Sequence, residues 1–299
     1  MKRHGIISAL LLVVVEILCS LFVFAPLQRY FGMWGLVATE LGILLLTVIF
    51  ALIFRVKPKE LIPFKRIEFS KLAGVALMWV GTFLLTMVIN LAFFFFFPEG
   101  MNVGVSMNDF FSSWSGLPLI FVVAVMPAIC EESMHRGFIQ SGIGRRINNK
   151  WVLCIIMGIL FGIFHLDFYR FLGTAILGGV MSYIMCETGN FFYNMQFHFM
   201  NNFIVQIVST VASKMTSPEM MEEVASHMSR ETLVLSFSTY CIIGFMAPFL
   251  LLGGALLLKG SKRIKEEGNT KILASLIFAG VSSLVLLISG MMLMIYTFS

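Results

Sequence analysis

Long apolar runs separated by short polar stretches make up almost the whole chain. About 20 apolar residues suffice to cross a bilayer as a helix. On that measure nine runs are candidate spans: 5–27, 34–54, 71–97, 117–143, 151–166, 168–186, 190–212, 233–258 and 272–297. The fifth and sixth are short and divided by Asp167 and Arg170. A turn at membrane depth is tolerated where protein or water surrounds it, so the count is eight or nine. The expected fold is all-α: a polytopic transmembrane helix bundle, with residues 1–299 forming one integral membrane domain. The N-terminal MKRHG and the apolar run behind it resemble a secretory signal, but the run reaches Phe24 without a small-x-small site. It reads as an uncleaved first span.

Composition agrees with the pattern. The 299 residues are 59% hydrophobic and 12% charged, where a soluble domain carries about 25% charged residues. Mean hydropathy is +0.93. The net charge of +5 does not point to nucleic acid, because the basic residues sit in short loops between apolar runs. With the N-terminus in the cytoplasm, the cytoplasmic stretches hold Lys2, Arg3, Arg55, Lys57, Lys59, Lys65, Arg66, Lys71, Arg145, Arg146, Lys150, Lys259, Lys262, Arg263, Lys265 and Lys271. The opposite side holds Arg29, Arg170, Lys214 and Arg230. Sixteen against four sets the N-terminus inside by the positive-inside rule, and a multi-pass cell-membrane location follows. Five cysteines, none closely paired in sequence, argue against a disulfide framework or a zinc ribbon. The polar stretch 213–232 suits a short surface helix capped at Ser217-Pro218. Phe93–Phe97 reads as lipid-facing bulk near an interface.

Ionisable residues inside spans carry the chemistry, since each costs roughly 2.5–3.5 kcal/mol at a helix centre on insertion scales. Three clusters stand out. In Cys130-Glu131-Glu132-Ser133-Met134-His135-Arg136-Gly137, Glu132 and Arg136 are four apart and share a helical face. Arg136 can neutralise Glu132 and leave Glu131 free to point at a cavity. Glu131 and His135 share a neighbouring face. The second cluster, Phe161-Gly162-Ile163-Phe164-His165, sets Phe161 and His165 on one face. The third, His198-Phe199-Met200-Asn201-Asn202, does the same for His198 and Asn202, with Asn194 and Gln196 one turn earlier. Each cluster also has a bland reading: a buried ion pair that locks the bundle, a satisfied core histidine, and interhelical hydrogen bonding. Depth favours combining them. Glu131 lies 14 residues before Arg145 and His165 lies 14 residues after Trp151, so both sit roughly 20 Å from the cytoplasmic end at 1.5 Å per residue. His198 and Asn202 approach the same level, and a cavity open to the cytoplasm is expected.

These residues resemble a known family. EESMHR is similar to the Glu-Glu-x-x-x-Arg motif of the CAAX-protease and bacteriocin-processing (CPBP, or Abi) membrane peptidases. FGIFH at 161–165 is similar to their Phe-x-x-x-His motif and HFMNN at 198–202 to their His-x-x-x-Asn motif; Thr188-Gly189-Asn190 also fits. Order and spacing agree across 115–205, the expected catalytic core. His135 stands where the family more often has an aromatic or apolar residue. The resemblance implies a glutamate-dependent intramembrane endopeptidase acting on a membrane-associated peptide or protein.

The residues themselves allow the same chemistry. No Ser–His–Asp set, no GxSxG and no well-placed nucleophilic Cys is visible, so water is the expected nucleophile and a base must activate it. Glu131 is the candidate base, with His165 holding and polarising the water. His198 and Asn202 are the candidate oxyanion donors, and Glu132 and Arg136 stand behind them. No cofactor is expected. The alternative is zinc held by Glu131, His165 and His198, although the His-Glu-x-x-His signature is absent. Two rival functions are a catalytically silent membrane scaffold or bacteriocin-immunity protein, and a proton pathway or transporter. Substrate identity and oligomeric state are not legible.

Overall fold

The computed structural model describes residues 4–100, 110–111, 113–215 and 230–298, with only the backbone described at 212–215, 261–263 and 265–267. The described residues form helices and connecting turns, without a strand. In chain order the main helices are α1 (Ile6–Phe31), α2 (Met33–Ile53), α3 (Phe69–Phe94) and α4 (Gly116–Gly144). They continue as α5 (Lys150–Phe164), α6 (Phe171–Thr188), α7 (Phe191–Met215), α8 (Arg230–Gly244), α9 (Ala247–Glu267) and α10 (Asn269–Phe298). Seven spans among the described residues are long and apolar enough to cross a bilayer, with α8 and the first part of α9 making one of them. The chain is a multi-pass membrane protein.

The expected runs correspond to helices; one of them is broken, and two fall outside the seven. The run at 233–258 breaks at Phe245-Met246, where Pro248 sits in the first turn of α9 and has no N–H to continue the ladder. α5 is only 15 residues long, about 22 Å at 1.5 Å per residue. α7 is long, but its Asn, Gln and His side chains keep it out of the apolar set. The proposed surface helix at Ser217-Pro218 lies outside the described residues. The phenylalanine run is not uniformly lipid-facing: Phe96 is exposed, while Phe93 and Phe97 pack their rings on Phe168.

Two larger apolar clusters hold the bundle, beside a smaller one of Met33, Leu119, Val122 and Met126. One surrounds Phe138, Met134 and Met157, with Leu12 from α1 and Ile43 from α2. The other joins Val75 and Trp79 of α3 to Phe161, Met181 and Phe197. The polar residues of α4 lie between them. α5 and α6 form a hairpin at very close approach: a Cβ on Gly158 would stand 2.5 Å from the Ala175 carbonyl oxygen, and one on Gly178 would stand 2.5 Å from Phe161 Cβ. Small residues permit such backbone contact inside membranes.

One end of the bundle is closed by the loop after α2. Its helical turn Pro58–Leu61 lies against α4, where a Cβ on Gly137 would run into the Leu61 carbonyl oxygen. Lys65 Nζ donates to the Thr188 carbonyl at 3.1 Å, Asn190 Nδ2 donates to the Lys65 carbonyl at 3.1 Å, and Phe191 N–H donates to the Pro63 carbonyl at 2.8 Å. Gly189 takes the left-handed conformation at φ 54° that this tight α6–α7 turn needs. His4 Nε2 meets Ser141 Oγ at 2.9 Å, tying the start of α1 to the same end.

Candidate active site

Three helices supply the polar centre. α4 is π-helical over Phe121–Val125, α-helical over Met126–Glu132 and π-helical again over Ser133–Gln140, and this last stretch departs from the regular helical period the motif suggested. The wider turn aims two side chains at α6: Arg136 Nη2 donates to the Gly178 carbonyl at 2.9 Å, and Gln140 Nε2 donates to the Ser182 carbonyl at 3.2 Å. Single π turns recur at functional sites. Arg136 Nη1 also donates to Glu132 Oε1 at 2.8 Å, with both side chains fully buried.

The same Glu132 oxygen accepts from His198 Nδ1 at 2.8 Å. That oxygen already accepts from Arg136, so in this bond it is again the acceptor and Nδ1 carries the hydrogen. That bond turns His198 Nε2 toward Glu131, 3.9 Å from its Oε2. His198 therefore stands between the two adjacent carboxylates, bonded to Glu132 and facing Glu131. Glu131 is 8% exposed and its Oε2 has no protein hydrogen-bond partner. His165 closes α5; its Nδ1 donates to the Phe161 carbonyl at 2.8 Å, which leaves Nε2 unengaged by that bond. Phe161 stands between the imidazoles, with ring centroids 4.8 Å from His165 and 5.9 Å from His198. Asn202 Nδ2 donates to the Val123 carbonyl at 3.0 Å, using one of its two hydrogens. No three His, Cys, Asp or Glu side chains among the described residues are grouped as a metal-holding set.

Glu131, His165, His198 and Asn202 all line one cavity of about 1020 Å³. His135 does not. It packs edge-on against Phe161 and Phe164, both 4.9 Å away, beside a small void under α1. The cavity lies away from the basic loops, toward which the sequence suggested it would open. Its walls are Gln28 and Leu36 at the α1–α2 turn, Glu99 and Phe110 beyond α3, the α5–α6 turn at 165–170, and Gln206 far along α7. None of the described basic-loop residues lines it. The reason lies in the depth: a point roughly 20 Å from one face of a ~30 Å hydrocarbon core is nearer the other face.

Two side chains near the site were missed by the sequence reading. Glu40 of α2 is 2% exposed and lines the cavity, and its Oε2 has no protein partner. Glu16 of α1 is equally buried and accepts from Ser20 Oγ at 2.9 Å. Both carboxylates lie within electrostatic reach of Glu131. The signal was present, because each is the single acidic residue in its apolar run.

A multi-pass helical protein with a buried carboxylate–imidazole centre is the class these observations define. Residues 113–204 match the family model described as Rce1-like, type II CAAX prenyl endopeptidase Rce1-like. The matched segment contains all three motifs, and over it the chain is similar to this family of CAAX-type membrane proteases. No curated protein and no solved structure matches the chain.

The Arg136–Gly178 contact gives a first test. Gly178→Leu drives a side chain into Phe161 and displaces the carbonyl that Arg136 uses. Overpacking of this kind costs about 1–3 kcal/mol. The solubilised variant is expected to melt lower than wild type, while Gly179→Leu, whose built Cβ meets nothing closer than 3.4 Å, shifts less.

Proposed function

We propose that the chain is an intramembrane endopeptidase in which Glu131 activates a water to hydrolyse a peptide bond of a membrane-associated polypeptide. The observation that carries the reading is His198 held on Glu132 by Nδ1 with its Nε2 facing Glu131. This repeats the logic of a carboxylate orienting an imidazole beside the reacting group.

In this reading Glu131 takes a proton from water and the resulting hydroxide attacks the scissile carbonyl. His165, fixed by the Phe161 carbonyl, presents Nε2 to the same water. The proton passes to His198 Nε2, where Glu132 stabilises the imidazolium. His198 and the second amide hydrogen of Asn202 then donate to the tetrahedral oxyanion. As the C–N bond breaks, the proton goes to the departing amine. Removing one oxyanion donor costs roughly 10²–10³ in rate in known cases. The buried Glu132–Arg136 pair keeps its charge fixed throughout. The protein would reside in the cell membrane, and no step requires a cofactor. Zinc held by Glu131, His165 and His198 remains the alternative to be tested: chelation followed by zinc rescue would establish it.

The test is a comparison of peptide termini in membranes of cells carrying wild type, Glu131→Gln or His198→Ala at matched protein levels. Termini present with wild type and lost in both variants are expected. Identical termini in all three would favour a scaffold. A pH or flux effect in liposomes without cleavage would favour transport.

A further inference from the structure

The cavity and the basic loops lie at opposite ends of the molecule. The loop 55–68, the α4–α5 turn and the α6–α7 turn meet at one end through Arg145 Nη2 to Glu60 Oε2 at 3.4 Å, Lys65 to Thr188, and Lys150 Nζ to Glu187 Oε1 at 2.5 Å. Fourteen of the chain's 21 Lys and Arg residues fall within 55–71, 145–150 and 259–271. Such an excess marks the cytoplasmic side. That end is also sealed, since the Pro58–Leu61 turn sits on Gly137 and the Phe138 cluster fills the space beneath it. The cavity reaches Glu131 from the other end, past Gln206, Glu99 and the turn carrying Asp167, Phe168 and Arg170. Phe168 there is 59% exposed.

We infer that the site is reached from the non-cytoplasmic face, and that its substrates are membrane-anchored or exported polypeptides whose cleavable stretch lies on that side, not cytosolic protein tails. The inference rests on the peptidase reading for the word substrate. The side of approach rests on charge placement and cavity shape alone. Three physical points support the class. A cavity of about 1020 Å³ holds several residues of extended chain but no folded domain. Its mouth mixes aromatic rings with Glu99, Asp167 and Arg170, which suits a segment passing between lipid and water. A cytosolic tail would have to cross the sealed loop or most of the hydrocarbon core to reach Glu131.

The experiment has two arms. In the first, Phe168→Cys and Phe96→Cys at the mouth end and Lys59→Cys at the sealed end are exposed to a membrane-impermeant maleimide in intact cells. The wild type supplies the background, because its five cysteines are free thiols set within the helices. Labelling of Phe168→Cys and Phe96→Cys without permeabilisation, with Lys59→Cys labelled only after it, is expected; the reverse pattern overturns the inference. Phe96 lies outside the cavity wall, so its result stands even if Phe168→Cys folds poorly. In the second arm, the termini lost in Glu131→Gln cells are mapped onto their parent proteins. They are expected in non-cytoplasmic segments, and a set confined to cytosolic tails overturns the inference. If no terminus is lost, the peptidase reading fails and the substrate assignment with it, while the labelling arm still decides which face the cavity opens on.

Discussion

Glu131→Gln is expected to abolish peptide trimming while leaving the fold intact. Gln keeps the volume and the polar head but cannot accept the proton of water. Loss of a positioned general base lowers rate by up to about 10⁴-fold. The residue lines the cavity and its Oε2 accepts no hydrogen bond from the protein, so the solubilised variant should melt within a degree or two of wild type. Substrate binding should survive, so the loss appears in kcat with KM little changed. A variant that retains activity would remove Glu131 from the reaction.

The largest effect on stability is expected from Arg136→Met. Arg136 is fully buried and joins Glu132 to the Gly178 carbonyl. Removing it strands an ionised carboxylate inside the bilayer region. Breaking a buried pair in this way costs about 3–5 kcal/mol, which corresponds to a fall of roughly 10 °C in Tm for a protein of this size. Adding Glu132→Gln removes the stranded charge while the side chain still accepts from His198. The double variant Glu132→Gln/Arg136→Met is therefore expected to melt higher than Arg136→Met alone. If both melt alike, desolvation of Glu132 is not what the arginine offsets. Activity should stay low in both, because a neutral side chain at 132 no longer supports an imidazolium at His198.

Much of this arrangement was legible in the sequence, for physical reasons that can be named. Glu132 and Arg136, and likewise His198 and Asn202, announce themselves because charged or amide groups are costly in apolar runs and recur at helical spacing. The order of helices followed from run lengths. The π turn over Ser133–Gln140 did not, because it depends on tertiary acceptors: the Gly178 and Ser182 carbonyls that take Arg136 and Gln140. His135 looked like a neighbour of Glu131 on a regular helix, yet the aromatic faces of Phe161 and Phe164 claim it. Glu16 and Glu40 were visible as lone acids, but only three-dimensional packing brings α1 and α2 beside α4. The direction of the cavity was hidden for a related reason. Depth counted from one end says how far in a residue lies, not which end of the bundle is plugged, and the plug is a loop whose closure rests on Gly137, Lys65 and Asn190.

The claim on which the rest depends is that Glu131, His165, His198 and Asn202 surround one water in a wet cavity within the bilayer. An experimental density map of the purified protein in lipid nanodiscs, at a resolution that shows ordered water, tests it most directly. The expected result is a water within hydrogen-bond reach of the Glu131 carboxylate and His165 Nε2, with His198 still bonded to Glu132 through Nδ1. A Glu131 side chain turned into the helix packing, with the cavity collapsed and dry, would contradict it.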